Sequence, residues 1–316
     1  MPDRLGAPLD TPIFERLAFV GLGLIGSSLA RVARRKNLAK TIVAIDSSDS
    51  VRARVSELKL ADHVTGDVRE GVTDADCVIL CVPVGACGAV AEAMAPALKQ
   101  GAIVSDVGSV KGSIVAMVQP HLPDGVHFVP AHPVAGPEQS GPDAGFPTLF
   151  LNRWCILTPP EGEDVDAIKK TRAFWEGAGS NVEEMTPAHH DLVLAITSHL
   201  PHLIAYNIVG TAADLEAVTQ SEVIKFSAGG FRDFTRIAAS DPTMWRDVFL
   251  NNKDAVLEML GRFTEDLSAL QRAIRWGDGE ALFNHFTRTR AIRRSIIEIG
   301  QDSAAPDFGR QPKQDQ

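Results

Sequence analysis

Gly21-Leu22-Gly23-Leu24-Ile25-Gly26 follows the apolar run Leu17-Ala18-Phe19-Val20 and precedes Ser27–Lys36, a stretch with helical spacing. Between a strand and a helix, each of these glycines has a separate use. Gly21 permits a tight turn, Gly23 lets a pyrophosphate approach the backbone, and Gly26 lets helix and strand pack closely. Gly21, Gly23, Leu24, Ile25 and Gly26 therefore form the candidate cofactor loop, with the free N–H groups and positive dipole end of the helix beside it. A second apolar run, Thr41–Ile45, ends in Asp46, twenty residues past Gly26. A carboxylate there accepts hydrogen bonds from the ribose of NAD and repels the extra phosphate of NADP. NAD is the expected cofactor and NADP the second choice, since Ser47 and Ser48 tolerate a phosphate. The alternative is an ordinary glycine-rich turn, with Asp46 on a solvated loop.

Outward from this loop the chain alternates. Apolar strands are expected at 17–21, 41–45, 77–82, 102–106, 127–130 and 153–158, with helices at 25–36, 50–59, 85–99 and 110–119. Such alternation predicts an α/β fold with a Rossmann-type, doubly wound, mostly parallel sheet. Pro83, directly after the third strand, stands where a chain leaves the sheet over a cofactor. Past residue 184 the reading is almost wholly helical. Thr186-Pro187 and Ser240-Asp241-Pro242 each start a helix, with a side-chain cap followed by proline at the first turn. Val256, Leu260, Phe263, Leu267, Leu270 and Ile274 recur at spacings of 4, 3, 4, 3 and 4, a heptad-like seam suited to a partner helix. The expected organisation is a flexible segment at 1–13, a dinucleotide-binding domain at 14–184, an all-helical substrate and dimerisation domain at 185–300 and a disordered tail at 301–316.

Composition narrows the function. Lys and Arg number 31 against 40 Asp and Glu, a formal net charge of −9, which disfavours nucleic acid or an anionic membrane surface as partner. No run of about 18 uninterrupted apolar residues suggests a membrane span. Cys77, Cys81, Cys87 and Cys155 have no zinc-site spacing, and the first two share one face of a strand too far apart for a disulfide. They read as reduced core residues of a cytoplasmic protein, and no metal is expected.

Three further segments carry chemistry. Ser105-Asp106-Val107-Gly108-Ser109-Val110-Lys111-Gly112 ends a strand at the sheet edge where ligands bind; Ser109 there either reaches a ligand or caps the next helix. Ala131-His132-Pro133-Val134-Ala135-Gly136 places a histidine directly after an apolar strand, where neutral imidazole can accept a proton, or where a solvated loop histidine would sit. Gly229-Gly230-Phe231-Arg232-Asp233-Phe234-Thr235-Arg236 sets two arginines four apart, on one face if the segment is helical. They suit carboxylate recognition, or form a solvated pair with Asp233. On one regular helix His190 and His199 face opposite ways, so they cannot share a metal. Ser198 and His202 share a face, and Pro201 is expected to kink or end that helix.

Together, Gly-Leu-Gly-Leu-Ile-Gly-Ser-Ser, Asp-Val-Gly-Ser-Val-Lys-Gly, His-Pro-Val-Ala-Gly-Pro-Glu-Gln-Ser-Gly, Ser198-His199-Leu200-Pro201-His202 and Gly-Gly-Phe-Arg-Asp-Phe-Thr-Arg resemble, in this order over residues 17 to 298, the prephenate/arogenate (cyclohexadienyl) dehydrogenase family of tyrosine biosynthesis. The resemblance implies an NAD-dependent oxidative decarboxylation of a dicarboxylic cyclohexadienol by a homodimer. It implies that His132 is the base for the ring hydroxyl and that Ser109 shares that hydroxyl. It also implies Arg236 on a substrate carboxylate, His202 and Glu138 lining the pocket, Trp245 closing it from the same or the partner subunit, and Arg232 as a variable basic position. Pro137 departs from the hydroxyl residue other members carry and leaves the choice between a keto and an amino side chain open. The rivals are a β-hydroxyacid-type dehydrogenase, with Lys225 as its candidate lysine and Lys253 read as a surface residue, and a non-catalytic NAD-binding sensor.

Overall fold

The computed structural model describes residues 5–136, 139–219 and 228–298. Met1–Leu257 form one compact unit and Glu258–Gln316 a second. In the first, β1 (Phe14–Val20), β2 (Ala39–Ile45), β3 (His63–Thr65), β4 (Cys77–Leu80), β5 (Ile103–Asp106) and β6 (His127–Phe128) make a six-stranded sheet in the order β3-β2-β1-β4-β5-β6. Every pairing in it is parallel. Strand order reverses direction at β1, and the register Ile45↔Val20↔Leu80 ends three central strands at the same level. Gly21, Asp46 and Cys81 therefore leave the sheet along one edge, at the switch point where this topology opens a crevice.

Period-two alternation explains why these strands read as unbroken apolar runs. Leu17 and Phe19 pack into one core with Leu29, Val32 and Trp175, while Ala18 and Val20 face the other with Ala91, Val104 and Ile114. A parallel strand covered on both faces has no solvent side to mark with polar residues. The connecting helices are α1 (Leu24–Lys36), α2 (Asp49–Glu57), α3 (Val68–Val72), α4 (Cys87–Met94) and α5 (Gly112–Val118).

Several expectations change. The run 153–158 is not a strand of the main sheet: β8 (Trp154–Leu157) lies between β7 (Ala131–Pro133), antiparallel to it, and β9 (Asn181–Glu184), parallel to it, in a separate small sheet. Short β3, β7 and β9, with α3 and α6 (Val165–Gly177), escaped the sequence reading because three- to five-residue elements, or a helix of mixed composition, leave little periodicity. Residues 5–13 are not a loose lead-in. Leu5 is buried, Leu9 N–H donates to the Lys36 carbonyl at 2.9 Å, and Lys36 Nζ donates to the carbonyls of Leu5 and Ala7. By compactness α7 (Pro187–Leu194), α8 (Leu200–Thr219) and the helices Gly229–Thr235 and Pro242–Asn251 group with the first unit. The second unit carries the end of the helix Lys253–Trp276 and the helix Gly279–Glu298, with Leu267, Ile274, Trp276, Phe283, Phe286 and Ile292 exposed.

One buried ion pair joins the main sheet to the small one. Lys111 is fully buried; its Nζ donates to Asp106 Oδ2, at the end of β5, and to the Ala131 carbonyl at 2.8 Å, at the start of β7. Asp106 also accepts from the N–H groups of Gly108 (2.7 Å) and Ala131 (3.3 Å). Burial pushes the Asp106 carboxyl above its usual range against the pull of Lys111. Removing one partner strands the other without compensation, so Lys111→Met is expected to lower unfolding free energy by about 3–5 kcal/mol. Urea denaturation followed by tryptophan fluorescence measures it, and an unchanged midpoint would show that the pair is dispensable.

Candidate active site

Gly21 has a positive φ of 93°, and a Cβ there would lie 2.9 Å from the Cys81 carbonyl. A Cβ on Gly26 would come within 2.1 Å of the Gly21 oxygen, so only glycine lets α1 start this close to β1. A Cβ on Gly23, by contrast, would meet nothing within 4 Å: this is open space against the backbone. Gly23 caps α1 without a side-chain hydrogen bond, and no acidic residue occupies the first turn. The helix end thus keeps donors and dipole for an anion. Asp46 Oδ2 accepts from Leu22 N–H at 2.8 Å and Oδ1 from Ser48 N–H at 3.0 Å, which ties the loop to β2 and leaves lone pairs for ribose hydroxyls. Pro83 leads into a single 3₁₀ turn, Val84–Ala86, and a Cβ on Gly85 would lie 3.2 Å from Asp247 Oδ2. The glycine loop, Asp46 and the Pro83 turn suit a dinucleotide in shape and charge.

His132 stands on β7 opposite Ile156 of β8 and is 8% exposed. The chain beyond it crosses to the glycine loop, where a Cβ on Gly136 would touch Leu24 (3.6 Å) and Ile25 (3.8 Å). Arg31 of α1 donates to the Pro142 carbonyl at 3.1 Å, and Phe146 N–H donates to Ser28 at 3.1 Å. The histidine is therefore buried in a strand whose continuation packs on the glycine loop, and is not on a solvated loop. Glu138 and Pro137 lie outside the described residues, as does Lys225.

Behind His132 is a chain of buried polar groups. His132 Nδ1 and His190 Nε2 are 2.8 Å apart, and His190 Nδ1 lies 2.8 Å from Asp191 Oδ1. Asp191 also accepts from the N–H groups of Lys111 and Gly112, both at 2.8 Å. Asn252 Nδ2 donates to the Asp191 carbonyl at 2.9 Å and sits 3.0 Å from His199 Nδ1. Burial, reinforced by His190, Lys111 and His199, holds the His132 imidazole well below the ordinary histidine range. Burial takes His199 down to about 4, with Asp191 opposing, and lowers His190 in spite of its bond to Asp191. Burial favours the neutral form of Asp191, yet the donors around it outweigh that and keep its carboxyl below the usual range. The cluster is three neutral imidazoles about one carboxylate.

His202 stacks on Trp245, with ring centroids 3.7 Å apart at 22°, and His202 Nδ1 is held 2.8 Å from the Ser198 carbonyl. Trp245 closes onto this cluster from the same chain; Val110, next to Ser109, packs against Trp245 and Val248. Ser109, His132, His202 and Trp245 are thereby linked through a continuous set of contacts. Pro201 does not end its helix. A π segment, Ala195–His199, absorbs the missing donor, with Leu200 N–H bonding to the Ala195 carbonyl five residues back. One added residue rotates the later turns of the helix by about 100°, so His190 and His199, opposed on a regular helix, both serve the Asp191 cluster. The whole run Pro187–Asp214 is long and apolar enough to cross a bilayer by length and composition, but its buried histidines and Asp191 make it a wall of this site.

The arginine expectation needs correcting in detail. The helix Gly229–Thr235 ends before Arg236, which opens the 3₁₀ segment Arg236–Ala239, so Arg232 and Arg236 are not on one regular helical face. Both are exposed, and Arg232 lies 3.6 Å from Asp233. Tyr206 Oη donates to the Ser240 carbonyl at 2.7 Å, which ties this segment to α8, the helix of His202. Sequence reading missed His190, Asp191, His199, Asn252 and the Lys111–Asp106 pair as site residues. The adjacent His-Asp pair after a capped helix start was the one available signal.

Comparison with known proteins agrees with this geometry. Residues 29–184 match the family model for the prephenate dehydrogenase nucleotide-binding domain, and residues 186–288 the one for the prephenate dehydrogenase dimerization domain. The chain is 45% identical to the cyclohexadienyl dehydrogenase of Zymomonas mobilis over 90% of its own length and 97% of that protein. Among solved structures, prephenate dehydrogenase from Aquifex aeolicus, in complex with hydroxyphenyl propionate and NAD+, superposes with a TM-score of 0.84 at 33% identity, covering 89% of this chain and 98% of that one. Synechocystis arogenate dehydrogenase gives 0.76 at 28% identity, covering 89% and 99%. A Rossmann-type parallel sheet, and matches spanning both domains, make this chain a member of the prephenate dehydrogenase family.

Proposed function

We propose that the protein converts prephenate, arogenate or both by NAD-dependent oxidative decarboxylation, with His132 as the proton acceptor. The observation that supports this most strongly is a buried imidazole on β7, in a chain segment that crosses directly to Leu24 and Ile25 of the glycine loop. Gly21, Gly23, Leu24, Ile25, Gly26, Asp46 and Pro83 would hold the dinucleotide. Bound there, NAD supplies the acceptor for the hydride leaving the carbinol carbon. His132 takes the hydroxyl proton as that hydride departs; the ring carboxylate leaves as CO2 and its bonding electrons complete the aromatic ring. Aromatisation makes the step downhill, so the protein's part is orientation and proton acceptance. Ser109 shares the hydroxyl, and His202 and Trp245 form an apolar wall for the ring. Arg236, with Arg232 as a weaker second, supplies the local cation that a dianionic substrate needs in a chain of net charge −9.

A homodimer fits the second unit. Trp276 is 75% exposed and Phe283 70% exposed, and apolar side chains at that density on consecutive helices mark an association surface. The partner is a second copy of this chain, with neither nucleic acid nor membrane required and a cytoplasmic location expected.

Steady-state kinetics with prephenate and arogenate, each with NAD+ and NADP+, test the assignment; release of CO2 with neither substrate would overturn it. His132→Asn is expected to lower kcat about 10²–10⁴-fold with NAD affinity unchanged. Activity within a few-fold of the parent would place the base elsewhere. Arg236→Ala is expected to raise KM about tenfold or more while kcat falls less, and an unchanged KM would remove Arg236 from substrate binding. Because His132 must be neutral and its proton affinity is depressed, kcat/KM should be level through neutral pH. It should fall only in acid, below the ordinary histidine value of about 6.5. Stability has the same sign. The unfolded chain protonates His132, His190 and His199 near 6.5, whereas the folded chain resists, His199 down to about 4. Unfolding free energy is therefore expected to decline as pH drops through that interval; thermal unfolding across pH measures it.

A further inference from the structure

Asp191 fixes the direction of every proton in the cluster behind His132. As a carboxylate it only accepts, and it accepts from the Lys111 and Gly112 N–H groups and from His190. His190 must then carry its proton on Nδ1, which leaves Nε2 as an acceptor. The atom 2.8 Å from that acceptor is His132 Nδ1, which must be the donor. A neutral imidazole with its proton on Nδ1 has its lone pair on Nε2. We propose that His190 and Asp191 are positioning residues that lock His132 in the Nδ1–H tautomer, leaving Nε2 as the only nitrogen able to receive the substrate proton. The inference rests on His132 being the proton acceptor, and it adds what makes it one. Every group in contact takes part: Lys111 is committed to Asp106 and the Ala131 carbonyl, Asn252 holds His199 and the Asp191 carbonyl, and none of them donates to His132 Nε2. The two ring planes meet at 72° with centroids 5.0 Å apart, which leaves this Nδ1···Nε2 contact as the one between them.

Histidine nitrogen-15 NMR of the whole protein at neutral pH reads this directly, with the His132 signals assigned by their loss in His132→Asn. The expected spectrum shows a protonated, pyrrole-like Nδ1 and an unprotonated, pyridine-like Nε2 for His132; the opposite pattern overturns the proposal. Asp191→Asn removes the charge and exchanges one accepting oxygen for an amide donor, which loosens the hold on the His190 Nδ1 proton. It is expected to move the His132 proton to Nε2 and lower kcat by about a hundredfold to ten-thousandfold, with NAD affinity retained. Adding His190→Gln to that variant restores a carbonyl acceptor for His132 and is expected to recover at least tenfold in kcat, which a purely structural role would not predict. Asp191→Asn with parental kcat and an unmoved nitrogen pattern overturns the inference while leaving His132 as the base. Parental kcat in His132→Asn overturns the base assignment itself. If Asp191→Asn does not fold, the parental spectrum and His190→Gln alone decide, the latter being expected to keep the Nδ1–H pattern.

Discussion

The Lys111–Asp106 pair is the constraint from which the site is built. Both side chains are fully buried, and together they fix three points: the end of β5, the turn bearing Ser109 and the first residue of β7. The residue after that point is His132. A buried pair like this adds little stability over an apolar replacement; what it supplies here is registry between two sheets that share no strand. The backbone N–H of Lys111 then extends the same constraint to Asp191. One residue thereby couples the sheet, through its side chain, to the helical relay, through its main chain.

Glycine has a complementary part. Gly26 brings α1 against β1 and Gly23 leaves the space above it open, so the same loop is tight on one side and vacant on the other. The chain after His132 then stitches itself to α1 through Arg31 and Ser28. Imidazole and nucleotide loop are thus held by contacts that depend on neither ligand, which is the preorganisation that a reaction limited by orientation needs.

Much of this was legible in the sequence where a pattern repeats or a backbone demand is unusual. The glycine loop, Asp46, five of the six parallel strands and the proline-marked helix starts each follow from a local rule. His132 and Ser109 were legible only by position, at the ends of strands. What stayed hidden depends on phase and on pairing across distance. Lys111 and Asp106, five residues apart, look like an ordinary polar turn until burial makes them a pair. His190 and His199 look opposed under a regular helical period, and only the π segment before Pro201 alters that phase. Residues 5–13, rich in proline and polar groups, are held down by Lys36, a lysine that no local pattern would place in the interior.

For His132 as the proposed base, a depressed proton affinity is at first sight a poor property. Desolvation is its leading cause at His132, and desolvation penalises an isolated imidazolium, not one formed beside a counter-charge. In the proposed reaction the substrate brings carboxylates of its own, and these are the counter-charge that the free protein lacks. The imidazolium is then disfavoured in the free protein and supported in the complex. The free protein thus keeps its lone pair unprotonated at neutral pH, and the charge develops only when substrate is there to balance it. A more basic, solvated histidine would accept protons from water as readily as from substrate, and burial removes that competition. The cost falls on acid stability, where the same imidazoles resist protonation in the fold and accept it once the chain unfolds.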